Sequence, residues 1–201
     1  MGRSDPVISR FYKNYIRPEG DTALLGYMNN DWFEGDLYDR QLNNWDINSD
    51  WQLNKKYDSI VSTRCAYFAK DPEQFVRKCY EHLNDAGTLY VDWGLGDHWR
   101  FENYKIGWIK DGEQEYAYGP KNYLWSTVWD DSFLRNGQFS IFSHRVKRFG
   151  YEDVKEAIYR EVPNVLELDS INRYFEISYN MLALWDDSPQ LYILIQGKKN
   201  Q

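Results

Sequence analysis

Residues 57–91 read YDSIVSTRCAYFAKDPEQFVRKCYEHLNDAGTLYV, and this stretch decides the fold. Ser59-Ile60-Val61-Ser62, preceded by Tyr57-Asp58, is a short run of strand type. Asp71-Pro72 then opens a helix. Asp71 is a good N-cap, Pro72 suits the first helical position, and Gln74 stands three residues after the cap. Phe75, Val76, Cys79, Tyr80 and Leu83 recur on one face at the helical period, and Gly87 is the expected C-terminal stop. Thr88-Leu89-Tyr90-Val91-Asp92 follows as a second strand. A strand, a capped helix and a strand within so short a span form a βαβ unit, which implies a parallel sheet.

Working outward, Thr22-Ala23-Leu24-Leu25-Gly26 reads as a buried strand ending on glycine. Between residues 27 and 45, Asn29, Asn30, Gly35, Asn43 and Asn44 break any long period, with room for a short helix around Asp31–Gln41. Asp46-Ile47 is a candidate fourth strand end. Residues 93–150 are dense in Trp, Tyr and Gly without a clean period. Tyr151 to Glu161 returns to a helical pattern that Pro163 ends. Asn164–Leu168 and Leu191–Ile195 read as the last two strands, the second nearly continuous in apolar residues as a central strand should be.

The chain has 201 residues and 27% charged residues, which suits one globular domain. Its formal net charge is −7, and such a surface argues against nucleic-acid partners. The one basic cluster, His144-Arg145-Val146-Lys147-Arg148, reads as a solvated loop or strand end. Cys65 and Cys79 make no disulfide framework, and no Cys/His spacing suggests zinc. No run approaches the ~20 apolar residues of a membrane span, and the N-terminus lacks the apolar core of a signal peptide, so the expected location is the cytoplasm. Nine Trp, 17 Tyr and 10 Phe are the outlier. Such rings fill cores, and they also line sites for sugars and bases.

In an open parallel sheet the ligand sits beyond the carboxyl ends of the strands. Here those ends are Gly26-Tyr27-Met28, Ser62-Thr63-Arg64-Cys65 and Asp92-Trp93-Gly94. The run from Tyr57 to Val91 resembles the strand-four to strand-five region of class I S-adenosylmethionine-dependent methyltransferases. In that family an aromatic-Asp pair opens strand four, a "D-P" helix follows, and a glycine turn leads into strand five. The matching pieces are Tyr57-Asp58, Asp71-Pro72 and Ala86-Gly87-Thr88-Leu89. The match is close there and weaker over residues 22–92 and the C-terminal strand pair.

The resemblance implies a three-layer α/β sandwich with a Rossmann-like, mostly parallel sheet and a final antiparallel strand pair between Asn164 and Gln196. It implies a single domain, with residues 93–150 as an inserted cap or substrate-binding segment. The implied cofactor is S-adenosylmethionine and the implied activity is methyl transfer, while the aromatic-rich, acidic composition points to a small-molecule or saccharide-like acceptor. Carried over by position, the cofactor-binding residues are Gly26, Tyr27, Met28, Asp46, Ile47, Thr63 and Arg64. Gly26 is the remaining glycine of the first motif. Asp46 matches either the ribose-binding acid or the later acid near the adenine, and its other reading is an Asx-turn or cap. His98 is the candidate general base, with Asp92 binding the acceptor or orienting that base. His98 has a bland alternative as well, a surface or loop histidine with no role.

The chain also departs from the family. The family's GxGxG is replaced by Gly26-Tyr27-Met28-Asn29-Asn30, and its E-x-x-E-H by Arg64-Cys65-Ala66-Tyr67-Phe68. From Gly26 to Tyr57 there is too little chain for a full helix-strand-helix-strand series, so at least one element is lost or shortened. These departures favour one rival, a non-catalytic binding or scaffold protein on a degenerate methyltransferase fold, and the abundant Trp and Tyr suggest another, a carbohydrate-binding or sugar-modifying protein of another family.

Overall fold

The computed structural model describes residues 6–94, 108–110, 113–115, 126–135, 152, 154–161, 164–184 and 190–201. The elements that position the site come in the order α1 (Pro6–Tyr15), β1 (Thr22–Leu25), β2 (Asp36–Tyr38), α2 (Arg40–Asn43), β3 (Tyr57–Ser62), α3 (Pro72–His82) and β4 (Leu83–Gly94). A short hairpin, β5 (Trp108–Lys110) and β6 (Glu113–Glu115), and the strand β7 (Ser126–Trp129) follow. The chain continues through α4 (Val154–Glu161), β8 (Asn164–Glu167), α5 (Leu168–Asn172), β9 (Phe175–Leu184) and β10 (Gln190–Lys199).

The central sheet has six strands in the order β2-β1-β3-β4-β10-β9. β2, β1, β3 and β4 run parallel to their neighbours, whereas β10 is antiparallel to both β4 and β9. The fold is α/β, with a mostly parallel sheet and a C-terminal antiparallel pair. Successive residues alternate faces. Ala23, Leu25, Ile60, Leu89, Val91, Trp93, Ile193 and Ile195 pack with Phe75, Val76 and Cys79 of α3 and with Ile171 of α5. Leu24, Val61, Tyr90 and Leu194 point the other way, against Ile8 and Tyr12 of α1 and Ile16 just after it.

The βαβ unit forms as its sequence demands. The Asp71 carboxylate accepts from the Gln74 N–H at 2.8 Å, and Pro72 occupies the first turn. The stop is different from the expectation. The helix ends at His82, and Leu83 is already extended at φ −90°, ψ 141°. Gly87 lies inside β4, not at the helix end. A Cβ there would stand 2.9 Å from the Asn84 carbonyl oxygen, so the residue serves close approach, while Ala86 takes the left-handed position at φ 58°.

Two further expectations are corrected. The Asp31–Gln41 stretch contains a strand, β2, and the only helix near it is the single turn of α2. A Cβ on Gly35 would meet the Thr22 carbonyl oxygen at 2.5 Å, so only glycine lets the chain enter β2 this close to β1. Asn164–Glu167 does not pair with β10. It is β8, which runs parallel to β7 in a separate two-stranded sheet. The true partner of β10 is β9, FEISYNMLAL, an edge strand whose Glu176, Ser178, Tyr179 and Asn180 are exposed. Its weak apolar signal reflects that solvated face.

Among the described residues, no helix is long and apolar enough to cross a membrane. Removing the cap of the deciding helix should be measurable: Asp71→Ala is expected to lower stability by about 1 kcal/mol, read as a lower urea midpoint at unchanged m-value.

Candidate functional site

The order β2-β1-β3 makes β1 a switch point, because the chain leaves it toward β2 on one side and β3 lies on the other. A cleft of about 800 Å³ opens there, beyond the carboxyl ends of these three strands. Gly26 and Met28 line it after β1, Asp39, Arg40 and Gln41 after β2, and Arg64, Cys65, Phe68 and Lys70 after β3. Trp45, Asp46, Ile47 and Asn48 complete its wall.

Local rules explain these placements. Gly26 adopts φ 74°, a conformation that glycine takes at no steric cost, and its N–H donates to the Tyr38 carbonyl at 2.6 Å. The turn therefore follows β2 closely. Asp39 directly follows β2 and caps α2, accepting from the Gln41 N–H at 2.8 Å. A chain of hydroxyls holds β2 in place: the Asn54 N–H donates to Tyr38, Tyr38 donates to Tyr57 at 2.6 Å, and Tyr57 donates to Asp36 at 2.7 Å. Burial, followed by the hydrogen bonds to Tyr38 and Asp36, pushes the Tyr57 phenol far above its usual range, so it remains a donor.

The two readings of Asp46 meet in one residue. Its carboxylate closes an Asx-turn by accepting from the Asn48 N–H at 2.8 Å, and the residue lines the cleft. It lies in a loop and not at a strand end. Gly26, Met28, Ile47 and Arg64 also border the cleft, whereas Tyr27 and Thr63 do not. Those two are buried, and their hydroxyls bond each other.

Asp92 lies fully buried on β4. It accepts from the Tyr12 hydroxyl of α1 and from the Arg64 backbone N–H, the latter at 2.6 Å. Burial and then the charge of Asp92 hold the Tyr12 phenol well above its ordinary value. Asp92 thus bonds α1 and the Arg64 backbone, and it is not among the residues that line this cleft. His98, most of residues 93–150, the basic cluster at 144–148 and the Pro163 stop lie outside the described residues.

Arg64 sits at φ 59°, with its guanidinium 4.2 Å from the Tyr192 ring centroid and 6.0 Å from that of Tyr67. Burial opposes its charge, but Tyr192, Tyr67, Tyr12 and Asp92 together hold it protonated. Two of its nitrogens, Nε and Nη1, are buried without a hydrogen-bond partner among the described residues, as is Nε1 of Trp45. Among the described residues there is no cluster of three or more His, Cys, Asp or Glu fit for a metal ion.

Sequence reasoning passed over Asp39, Phe68 and Lys70. The signal for Asp39 was its own capping chemistry, an Asp two residues before Gln41 at the mouth of a one-turn helix. Its strand, only three residues long, has no readable period. The network beneath Asp39 is testable. Tyr57→Phe should cost about 1–2 kcal/mol in denaturant unfolding, because Tyr38 loses its acceptor and Asp36 its donor.

No protein-family model matches the chain, and no curated protein matches it. Solved structures with a similar trace include one from Thermotoga maritima described as a SAM-dependent methyltransferase, possible histamine N-methyltransferase. It is 12% identical over 96% of this chain and 87% of that one, with a TM-score of 0.48. A possible exported protein from Bordetella parapertussis is 10% identical over 98% and 70% of the two chains, at 0.43. TehB from Haemophilus influenzae is 9% identical over 98% and 63%, at 0.41. At these values the functional reading rests on the cleft itself.

Proposed function

We propose that this chain binds S-adenosylmethionine in the cleft beyond β1, β2 and β3 and transfers its methyl group to a small-molecule or glycan acceptor. The observation that carries the reading is the cleft's position at the switch point, with a glycine turn on one wall and a carboxylate at the end of β2 on another.

The residues present suit such a ligand. Gly26, at φ 74°, offers backbone without a side chain to the methionine portion. Asp39 and Asp46 each keep a second carboxylate oxygen for ribose hydroxyls after their backbone contacts. Met28, Ile47 and Trp45 supply apolar surface for the adenine. When bound, the sulfonium supplies an activated methyl group, so the protein's task is chiefly to hold donor and acceptor in line. Arg64, Cys65 and Phe68 border the cleft on the β3 side, where an acceptor would approach. Asp92 then acts through Arg64, whose backbone it holds. His98 remains the candidate base for a hydroxyl or amine acceptor.

One observation favours the second reading, a binding protein without turnover. Tyr27, next to the glycine turn, is buried against Thr63 and Phe33 and adds bulk where the family has small residues. Transfer of labelled methyl to any acceptor separates the two readings.

Calorimetry with S-adenosylhomocysteine should give a dissociation constant in the micromolar range, about −8 kcal/mol. Asp39→Ala and Asp46→Ala should each weaken it about tenfold or more. Absence of heat at millimolar ligand removes the cofactor reading. Unchanged affinity in both variants removes the assignment of the ribose site.

A further inference from the structure

The cleft is electrically lopsided. Its acids, Asp39 and Asp46, lie on the β2 side together with Arg40, and both already accept from backbone N–H groups. On the β3 side are two cations, Arg64 and Lys70. Lys70 is exposed, whereas Arg64 is largely withdrawn from water. No carboxylate lies within ion-pair distance of Arg64 among the described residues, and its Nε and Nη1 have no acceptor. The Tyr192 side chain bonds the guanidinium, but cationic N–H groups left buried without an acceptor are costly unless a further group satisfies them. The Trp45 indole, which can only donate, lines the same cleft in the same unsatisfied condition.

We infer that Arg64 is the anchor for a carboxylate group of the ligand that this cleft takes. Two features support a built role. The guanidinium lies 4.2 Å from the Tyr192 ring centroid and 6.0 Å from that of Tyr67, and a hydrogen bond to the Tyr192 side chain also holds it. The Asp92 carboxyl fixes the Arg64 backbone in a left-handed conformation that an ordinary loop residue avoids. The ligand group is a monoanion, because Asp39 and Asp46 in the same cleft oppose a doubly charged phosphate. The inference rests on the cleft being a ligand site, as proposed above, but not on the ligand being S-adenosylmethionine. The carboxylate has two sources, the amino-acid end of the cofactor or the methyl acceptor itself.

The experiment compares wild type, Arg64→Gln and Arg64→Lys by calorimetry, after thermal unfolding has shown which variants keep the wild-type transition. If Arg64→Gln does not keep it, Arg64→Lys carries the comparison. The first titrant pair is S-adenosylhomocysteine and its decarboxylated form. The second set is a panel of small monocarboxylates from acetate to benzoate, with the matching amides as controls. If the cofactor supplies the group, Arg64→Gln weakens S-adenosylhomocysteine about 10- to 100-fold and leaves the decarboxylated form unchanged. If the acceptor supplies it, both adenosyl ligands are indifferent to the variant, while a monocarboxylate binds wild type, loses that binding in Arg64→Gln, and is not replaced by its amide. Should no adenosyl ligand bind wild type while a carboxylate still binds through Arg64, the methyltransferase reading fails and the anchor stands. Equal binding of every titrant by wild type and variant, or no binding of any, overturns the anchor.

Discussion

One carboxyl group ties the molecule together. Asp92 is buried on β4, opposite Leu194 of β10, and a carboxyl in that position must find donors within the protein. Among the described residues, donors come from distant parts of the chain: the Tyr12 hydroxyl on α1 and the Arg64 N–H beyond β3. The first fixes how α1 lies across one face of the sheet. The second bends the loop after β3, and so decides where the Arg64 side chain goes. The cleft wall on that side is therefore a result of hydrogen-bond satisfaction at the centre of the sheet.

The β3-α3-β4 unit was legible because several independent signals coincide in it: an Asp cap, a proline at the first turn, one apolar face and flanking strands. β9 was passed over although it was legible: Phe175, Ile177, Tyr179 and Met181 alternate with Glu176, Ser178 and Asn180 at the period of a half-buried strand. Gly87 misled for a different reason. Glycine signals either a left-handed turn or a close approach, and the sequence does not distinguish them; here Ala86 takes the turn and Gly87 the approach. The site was half legible. Strand ends predicted Gly26, Met28 and Arg64 at the cleft. Asp39 escaped, because its strand is too short to show a period, and Tyr27 and Thr63 turned inward to each other.

Part of the aromatic content also has a structural account. β1 and β2 are parallel, yet residues 26–35 join them without a helix. A parallel crossover ordinarily carries a helix that covers its face of the sheet. Here large rings occupy that layer. Tyr27 stacks edge-on with Phe33, and Trp32 lies against Tyr12 with centroids 5.8 Å apart. Side-chain volume replaces a secondary-structure element there, which accounts for the rings at this crossover.

The placement of β10 bears on how the chain folds. It lies between β4 and β9, and residues 95–189 separate it from β4 along the sequence. Contacts of such long range form late, because loop closure must precede them. Tyr192, on which the Arg64 guanidinium rests, belongs to this strand. Until β10 is inserted, β4 has an open edge and Arg64 has no seat. The cleft is thus completed in the same step that closes the sheet, so a chain that has stalled before that step cannot bind like a native one.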